Sequence, residues 1–422
     1  MMQFKSPAIV SEKVLPRGLW EWMLAAFVVG SLTLGEIAGF SKIMILYGLL
    51  FFFFFIIYVL YNKISVNLIP EVVLYYVWII WALAGLVNAN DTTLYFSKFR
   101  TVIQIGIMIV LVAAVTAMKR NMSMVMFGLL SGVVVVSLFS IWSGEFLQVS
   151  GADSRTRAEG LVGNPNDFAY LFLMMTFALV FFWKNRSSAW WKLLIAAGVL
   201  FAIAFIIVSG SRKTILGVLL FLFFSVVLCK SRRIDKNAVK RYIFLIVLLL
   251  IVYGSASLVI SNTLLSKRFE SEEIERGENV RMQMYAEGME MIRNHFFLGM
   301  GLNNYKTESS FGLYSHSDYV EVAASTGFVG FVMYFSMYVV LWMRISRIRK
   351  MTQDPHIFFN MGLLKAAILT ILLLAFGKVN IAVKINWVFL AAAFGYSWSV
   401  EKWLLSRCAR MLPAMGIEHS EV

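Results

Sequence analysis

The sequence predicts an all-α polytopic membrane protein of about 12 transmembrane helices with one large extracytoplasmic loop subdomain. Composition is the first observation: 60% of the 422 residues are hydrophobic and only 15% are charged, and the mean hydropathy is +0.76, outside the range of soluble domains. The second is the length of the apolar runs, which suit helices crossing a hydrocarbon core of roughly 30 Å. Runs such as Phe51 to Ile57 lack the alternation that a membrane barrel requires. The third is a single long polar interval, residues 261–318, which carries six Lys/Arg, nine Asp/Glu and two of the four histidines.

In order, the predicted spans are 18–34, 43–60, 68–87, 101–118, 124–142, 165–183, 190–208, 213–229, 241–260, 319–343, 361–376 and 381–399. The basic, polar start (Lys5, Lys13, Arg17) leads into the first span with no A-x-A site after it, which predicts a retained helix. Short basic clusters set the orientation. With the N-terminus inside, the cytoplasmic segments hold 22 Lys/Arg against nine in the short outer loops, the long loop being left out because long loops cross largely regardless of charge. Both termini are therefore expected in the cytoplasm and residues 261–318 outside. Three regions follow: 1–260 with helices 1 to 9, 261–318 as the loop, and 319–422 with helices 10 to 12 and the tail.

A net charge of +14 invites a nucleic-acid reading. The Lys and Arg lie in scattered clusters between apolar spans, the pattern of topology determinants, so no nucleic-acid partner is expected and membrane lipids are. Cys229 and Cys408 provide no disulfide framework and no zinc spacing. No metal site or cofactor is predicted.

Within the long loop, residues 278–294 have helical spacing, with Arg281, Tyr285, Met289 and Ile292 on one face. Gly299 and Gly301 break that helix, and Gly327 and Gly330 suit close helix contact. Four groups of residues carry possible chemistry. Arg212 and Lys213, at the outer end of a span after Ser209-Gly210-Ser211, either cap a helix pair and snorkel or form an anion site with the helix N-terminus behind them. Arg155 and Arg157 stand upstream of Asn164-Pro165-Asn166-Asp167; Asn166 or Asp167 reads as a helix cap, and the two arginines suit phosphate or sugar. His316, with Asp318 and Glu321 after it, is either an interfacial histidine bonded to loop backbone or a proton acceptor oriented by a carboxylate. Arg281 adds a further outer cation. His295 is a weaker candidate, His356 and His419 read as incidental, and Glu21, Lys365, Lys378 and Lys384 read as structural groups near an interface.

The order of these motifs resembles the O-antigen ligase superfamily, which also includes O-antigen polymerases and protein O-oligosaccharyltransferases. The resemblance rests on residues 163–169 (GNPNDFA), Ser209-Gly210-Ser211-Arg212, Arg281 with Tyr285, residues 299–305 (GMGLNNY), residues 316–321 (HSDYVE) and residues 326–330 (TGFVG), and covers roughly 155–335. It implies a metal-independent glycosyltransferase of the C type in the bacterial inner membrane. The enzyme would pass a glycan from undecaprenyl diphosphate to an acceptor on the periplasmic side, in a ligase a sugar hydroxyl of lipid A-core. By position, Arg212 and Arg281 would hold the diphosphate and His316 would align or deprotonate the acceptor, with Arg155, Arg157, Asn164, Asn166, Lys213, Tyr285 and Asp318 contacting substrates. Phe296 stands where the family often has Pro, which weakens any role for His295. A polymerase using the same donor is the near alternative, and a polytopic transporter or flippase the distant one. A transporter would show related halves and sites near the midplane, and no matching halves occur here.

Overall fold

The computed structural model of the chain describes residues 18–34, 40–63, 68–144, 147–150, 155–158, 160–185, 188–230 and 271–411. Helices dominate: α1 Leu19–Leu32, α2 Phe40–Tyr61, α3 Pro70–Ala84, α4 Thr92–Lys119, α5 Ser123–Trp142, α6 Pro165–Asn185, α7 Ala189–Ser209 and α8 Arg212–Leu228. After them come α9 Ser271–Asn294, the single turn α10 Tyr305–Glu308, α11 Asp318–Met351, α12 Pro355–Leu374 and α13 Lys384–Met411. An antiparallel ribbon of β1 Leu147–Ser150 and β2 Arg155–Ala158 lies between α5 and α6. Among the described residues, eight helices are long and apolar enough to cross a membrane by length and composition. The chain is an all-α polytopic membrane protein.

Eleven of the twelve predicted spans coincide with helices, and the ninth (241–260) lies outside the described residues, as do 261–270 of the long loop. The largest shift of a helix start is in α4, which begins at Thr92 and not at 101. Asp91 is the reason: its carboxylate accepts the Leu94 N–H at 2.9 Å and nucleates the helix nine residues before the apolar run begins. Lys98 and Arg100 thereby become helical residues.

The core of the bundle joins α3, α11 and α13 through fully buried aromatic rings. Trp387 meets Tyr75 at 4.8 Å and Tyr334 at 5.8 Å, and Trp78 meets Tyr334 at 5.3 Å. Such rings supply much contact area with few torsions to freeze. At one end of these three helices lies a buried ion triad. Arg344 on α11 donates to both oxygens of Glu71 on α3 at 2.6 Å and to Glu401 on α13 at 3.2 Å, with the Trp398 ring 5.0 Å from its guanidinium. Glu71 is wholly buried and Arg344 and Glu401 nearly so. Removing one partner strands a buried charge, so Glu71→Ala is expected to destabilise the bundle by about 3–5 kcal/mol, read as a lowered Tm of purified protein in detergent.

The opposite end is shaped by α9 and by a break in α11. Against the expected face of α9, the buried residues are Met284, Gly288 and Met291, while Met289 is exposed. The buried stripe packs on Met300, Tyr305 and Ala324, and at Gly288 a side chain would run into Val320 of α11. Gly327 interrupts α11 with φ 68°. Its role differs from the expected helix contact. Residues 296–301 lie against the break, bonding Met300 N–H to Ala324 O at 2.8 Å, Gly301 N–H to Ser325 O at 3.0 Å and Phe328 N–H to Phe296 O at 2.7 Å. A Cβ on Gly327 would sit 2.1 Å from Phe297 O, so only glycine fits here by both space and φ.

Candidate active site: a cationic cavity at one end of the bundle

Tight helix connections bring the site residues together. Gly210 ends α7 at φ 66°, and α8 begins two residues later. Ser209 and Ser211 are buried, and Ser211 Oγ lies 3.1 Å from Thr214 Oγ1. This hairpin sets Arg212 and Lys213 at the end of the bundle. Asn164 caps α6 ahead of Pro165, its Oδ1 accepting the Asn166 N–H at 2.9 Å and the Asp167 N–H at 3.3 Å. The cap is therefore Asn164, one turn earlier than Asn166 or Asp167, because Pro165 has no N–H and fits the first helical position.

Residues 375–383, which join α12 to α13, form the hub. Lys213 donates its ammonium to Gly377 O, and Lys378 pairs with the Asp167 carboxylate and lies 4.5 Å from the Tyr170 ring. Tyr285 of α9 donates to Phe376 O at 2.6 Å, and Tyr319 of α11 to Leu372 O at 2.8 Å. Asp318 accepts the N–H groups of Asn380 (2.9 Å) and Ile381 (3.1 Å) and the Tyr334 hydroxyl (3.1 Å). Four helices thus hold one short connector.

Between them opens a cavity of about 1040 Å³. Lys98, Lys213, Lys378, Asp167 and Glu321 supply its charge, and Asn164, Asn166, Tyr314 and His316 further polar wall. Arg281 acts on Lys213 and His316 through its charge. Three lysines thus line the cavity with two carboxylates, Asp167 is already paired with Lys378, and the Arg281 charge reaches two of the lining residues.

His316 has φ 59°, a left-handed conformation uncommon for a non-glycine residue. The surrounding loop fixes it: Glu321 accepts the Ser315 N–H at 2.9 Å, Ser315 Oγ donates to Ser317 O at 2.8 Å, and the Tyr314 ring lies 4.4 Å from the imidazole. Burial, then the charges of Lys213 and Arg281, push the imidazole down to about 4, against a smaller upward pull from Asp167. The ring is neutral at pH 7.

Residues 197–335, from within α7 through the break in α11, match the family model described as O-antigen ligase. Over those residues the chain is similar to that family. A search of curated proteins returns no match. The matched segment contains Arg212, Lys213, Arg281, Tyr285, His316 and Asp318. Asn164, Asn166, Asp167, Lys98 and Lys378 complete the cavity from outside it.

The residues singled out from the sequence divide into three groups. Lys213, Asn164, Asn166 and His316 line the cavity together. Arg212 opens α8 beside Lys213, and Arg281 and Tyr285 lie one turn apart on α9, with Tyr285 committed to the connector. Arg155 and Arg157 lie on β2, paired with Ser150 and Gln148, against α6 and α7. Asp318 is separate: it is buried and its carboxylate is occupied by the connector and Tyr334. Neither it nor Glu321, bonded to Ser315, makes the expected bridge to the imidazole. Sequence reasoning missed Lys98 and took Lys378 for an interfacial group. Among the described residues no three His, Cys, Asp or Glu side chains come together as a metal-binding group.

Proposed function

We propose that the protein transfers a glycan from undecaprenyl diphosphate to a sugar hydroxyl of lipid A-core, as an O-antigen ligase, in the bacterial inner membrane. Both termini then lie in the cytoplasm and the cavity opens to the periplasm. The observation that carries this reading is the meeting of three lysines and a neutral imidazole in one cavity, within reach of the Arg281 charge. A diphosphate brings the negative charge that the cations lack, and the imidazole has a lone pair for the acceptor proton.

In the reaction, the acceptor oxygen attacks the anomeric carbon, the bond from that carbon to the phosphate oxygen breaks, and the hydroxyl proton passes to His316. Charge grows on the departing diphosphate. Arg281, Lys213 and Lys378, with Arg212 at the rim, stabilise that charge more in the transition state than in the ground state. Asp318 and Tyr285 act on the substrate through the connector they hold, and Asn164 and Asn166 in the cavity wall, with Arg155 and Arg157 on the ribbon before them, are assigned to the sugar. The α9 helix serves as a lid that carries Arg281.

Purified protein given undecaprenyl diphosphate-linked glycan and lipid A-core is expected to form the joined product without ATP and without loss of rate in EDTA. Strong inhibition by EDTA reversed by magnesium would count against a metal-independent mechanism. Deleting the gene is expected to leave bare core and accumulated lipid-linked polymer. Core bearing one repeat would instead identify a polymerase, and absence of transfer with movement of lipid-linked glycan a flippase.

A further inference from the structure

A second cavity, of about 780 Å³, lies between α1, α2 and α4. Its wall is apolar, with Phe27, Met44, Ile45, Leu49, Met108 and Leu111 prominent. Two features join it to the cationic cavity. On α4, Lys98 lines the cationic cavity, and Thr101, Ile105, Met108 and Leu111 continue the same helix face along the apolar one. At the start of α13, Val383 lines the cationic cavity and the next residue, Lys384, lines the apolar one. From Lys98 to Leu111 the shared face runs about 20 Å at 1.5 Å per residue, some two thirds of a hydrocarbon core of roughly 30 Å.

We infer that the α1–α2–α4 groove is the binding site for the polyprenyl chain of the lipid-linked donor, with Lys98 at the junction between chain and diphosphate. This rests on the donor assignment above. The chemistry changes along a single path: cations where a diphosphate would lie, then hydroxyl and amide groups at Thr101 and Gln104, then hydrocarbon. A molecule with an anionic head and one long apolar tail matches that order. Lys98 and Glu321 line the same cationic cavity, which places Lys98 at the head end. Held by both ends, the donor would present its anomeric carbon to His316 in one orientation, since chain and diphosphate leave it little rotational freedom.

The test uses full-length protein in nanodiscs and undecaprenyl diphosphate carrying a photoactivatable group in mid-chain. Labelling is expected on α1, α2 and α4, and excess unlabelled undecaprenyl diphosphate should remove it while phosphatidylglycerol does not. Ile45 and Leu49 point outward at 43% and 48% exposure, so tryptophan at either place narrows the groove without repacking the core. Ile45→Trp and Leu49→Trp should each weaken labelling about tenfold, equivalent to about 1.4 kcal/mol. They should raise KM for the full-length donor by a similar factor at constant kcat, and spare a donor with a short ten-carbon chain. Labelling confined to other helices, displacement by phosphatidylglycerol as effective as by the diphosphate, or equal losses with long and short donors would overturn the assignment. Groove labelling in a protein that transfers nothing would remove the proposed reaction and leave the groove standing.

Discussion

Arg281→Ala is expected to leave an inserted, folded protein whose kcat falls by about 10²–10³-fold, the range for losing one preorganised group that stabilises developing charge. Arg281 stands half-buried on α9 beside the stripe that packs on α11, so truncation opens no core cavity. Its charge reaches both Lys213 and His316, the groups that the proposed mechanism sets against the leaving diphosphate and the attacking hydroxyl. Loss of a purely ground-state contact would raise KM and spare kcat, whereas loss of leaving-group stabilisation lowers kcat. Arg281→Lys is expected to recover part of the rate, keeping the charge without the planar fork. Near wild-type kcat in Arg281→Ala, with the Tm unchanged, would remove Arg281 from the mechanism.

Asp318→Asn tests the connector separately. The amide keeps the size of the carboxylate but offers one acceptor oxygen where three groups now donate, the N–H groups of Asn380 and Ile381 and the Tyr334 hydroxyl. A positioning role predicts a lower Tm together with a slower rate at unchanged donor chain-length preference, since the connector carries both Gly377 and Lys378 into the cavity. A variant with native Tm and native rate would assign the connector's geometry to its other holders, Tyr285, Lys213 and Asp167.

The helices were legible in the sequence because hydropathy over 17 or more residues is a strong local signal, and eleven spans appear where expected. The gathering of Lys213, Asn164, Asn166 and His316 was legible in outline, since polar groups at the outer ends of spans on one side of a membrane have few places to go. What escaped was held by backbone. The connector contributes Phe376 and Gly377 carbonyls and Asn380 and Ile381 amides, groups every residue possesses, so nothing in the sequence marks them. Lys98 was hidden by the opposite error: it interrupts the apolar run, so the helix was started after it, although Asp91 starts it earlier. Glu71 and Arg344 are 273 positions apart and Arg344 and Glu401 are 57, and no local pattern joins them. Gly327 was visible as a glycine but not as a break, because its partner is the backbone of residues 296–301.

His316 predicts two pH profiles that differ. In the free site, burial and the charges of Lys213 and Arg281 hold the imidazole down to about 4. A proton acceptor must be unprotonated, so kcat/KM for the donor, which reports free enzyme, should fall only as pH drops toward about 4. A bound diphosphate opposes those same cations, so its negative charge should raise the imidazole, with burial still acting downward. The acid limb of kcat, which reports the bound complex, is therefore expected at higher pH than that of kcat/KM. Donor binding thus makes the ring a stronger base when the acceptor hydroxyl needs one, and in the empty cavity a weak base leaves water unactivated. The same shift has a sign for stability: between about pH 6.5 and 4 the unfolded chain takes up a proton that the folded one refuses, so stability falls as pH falls through that window. His316→Gln, which cannot titrate, should lose both the acid limb and most of the rate. Superimposed kcat and kcat/KM limbs in the wild type would mean that the imidazole does not feel the donor's charge, and the acceptor proton would have to go elsewhere.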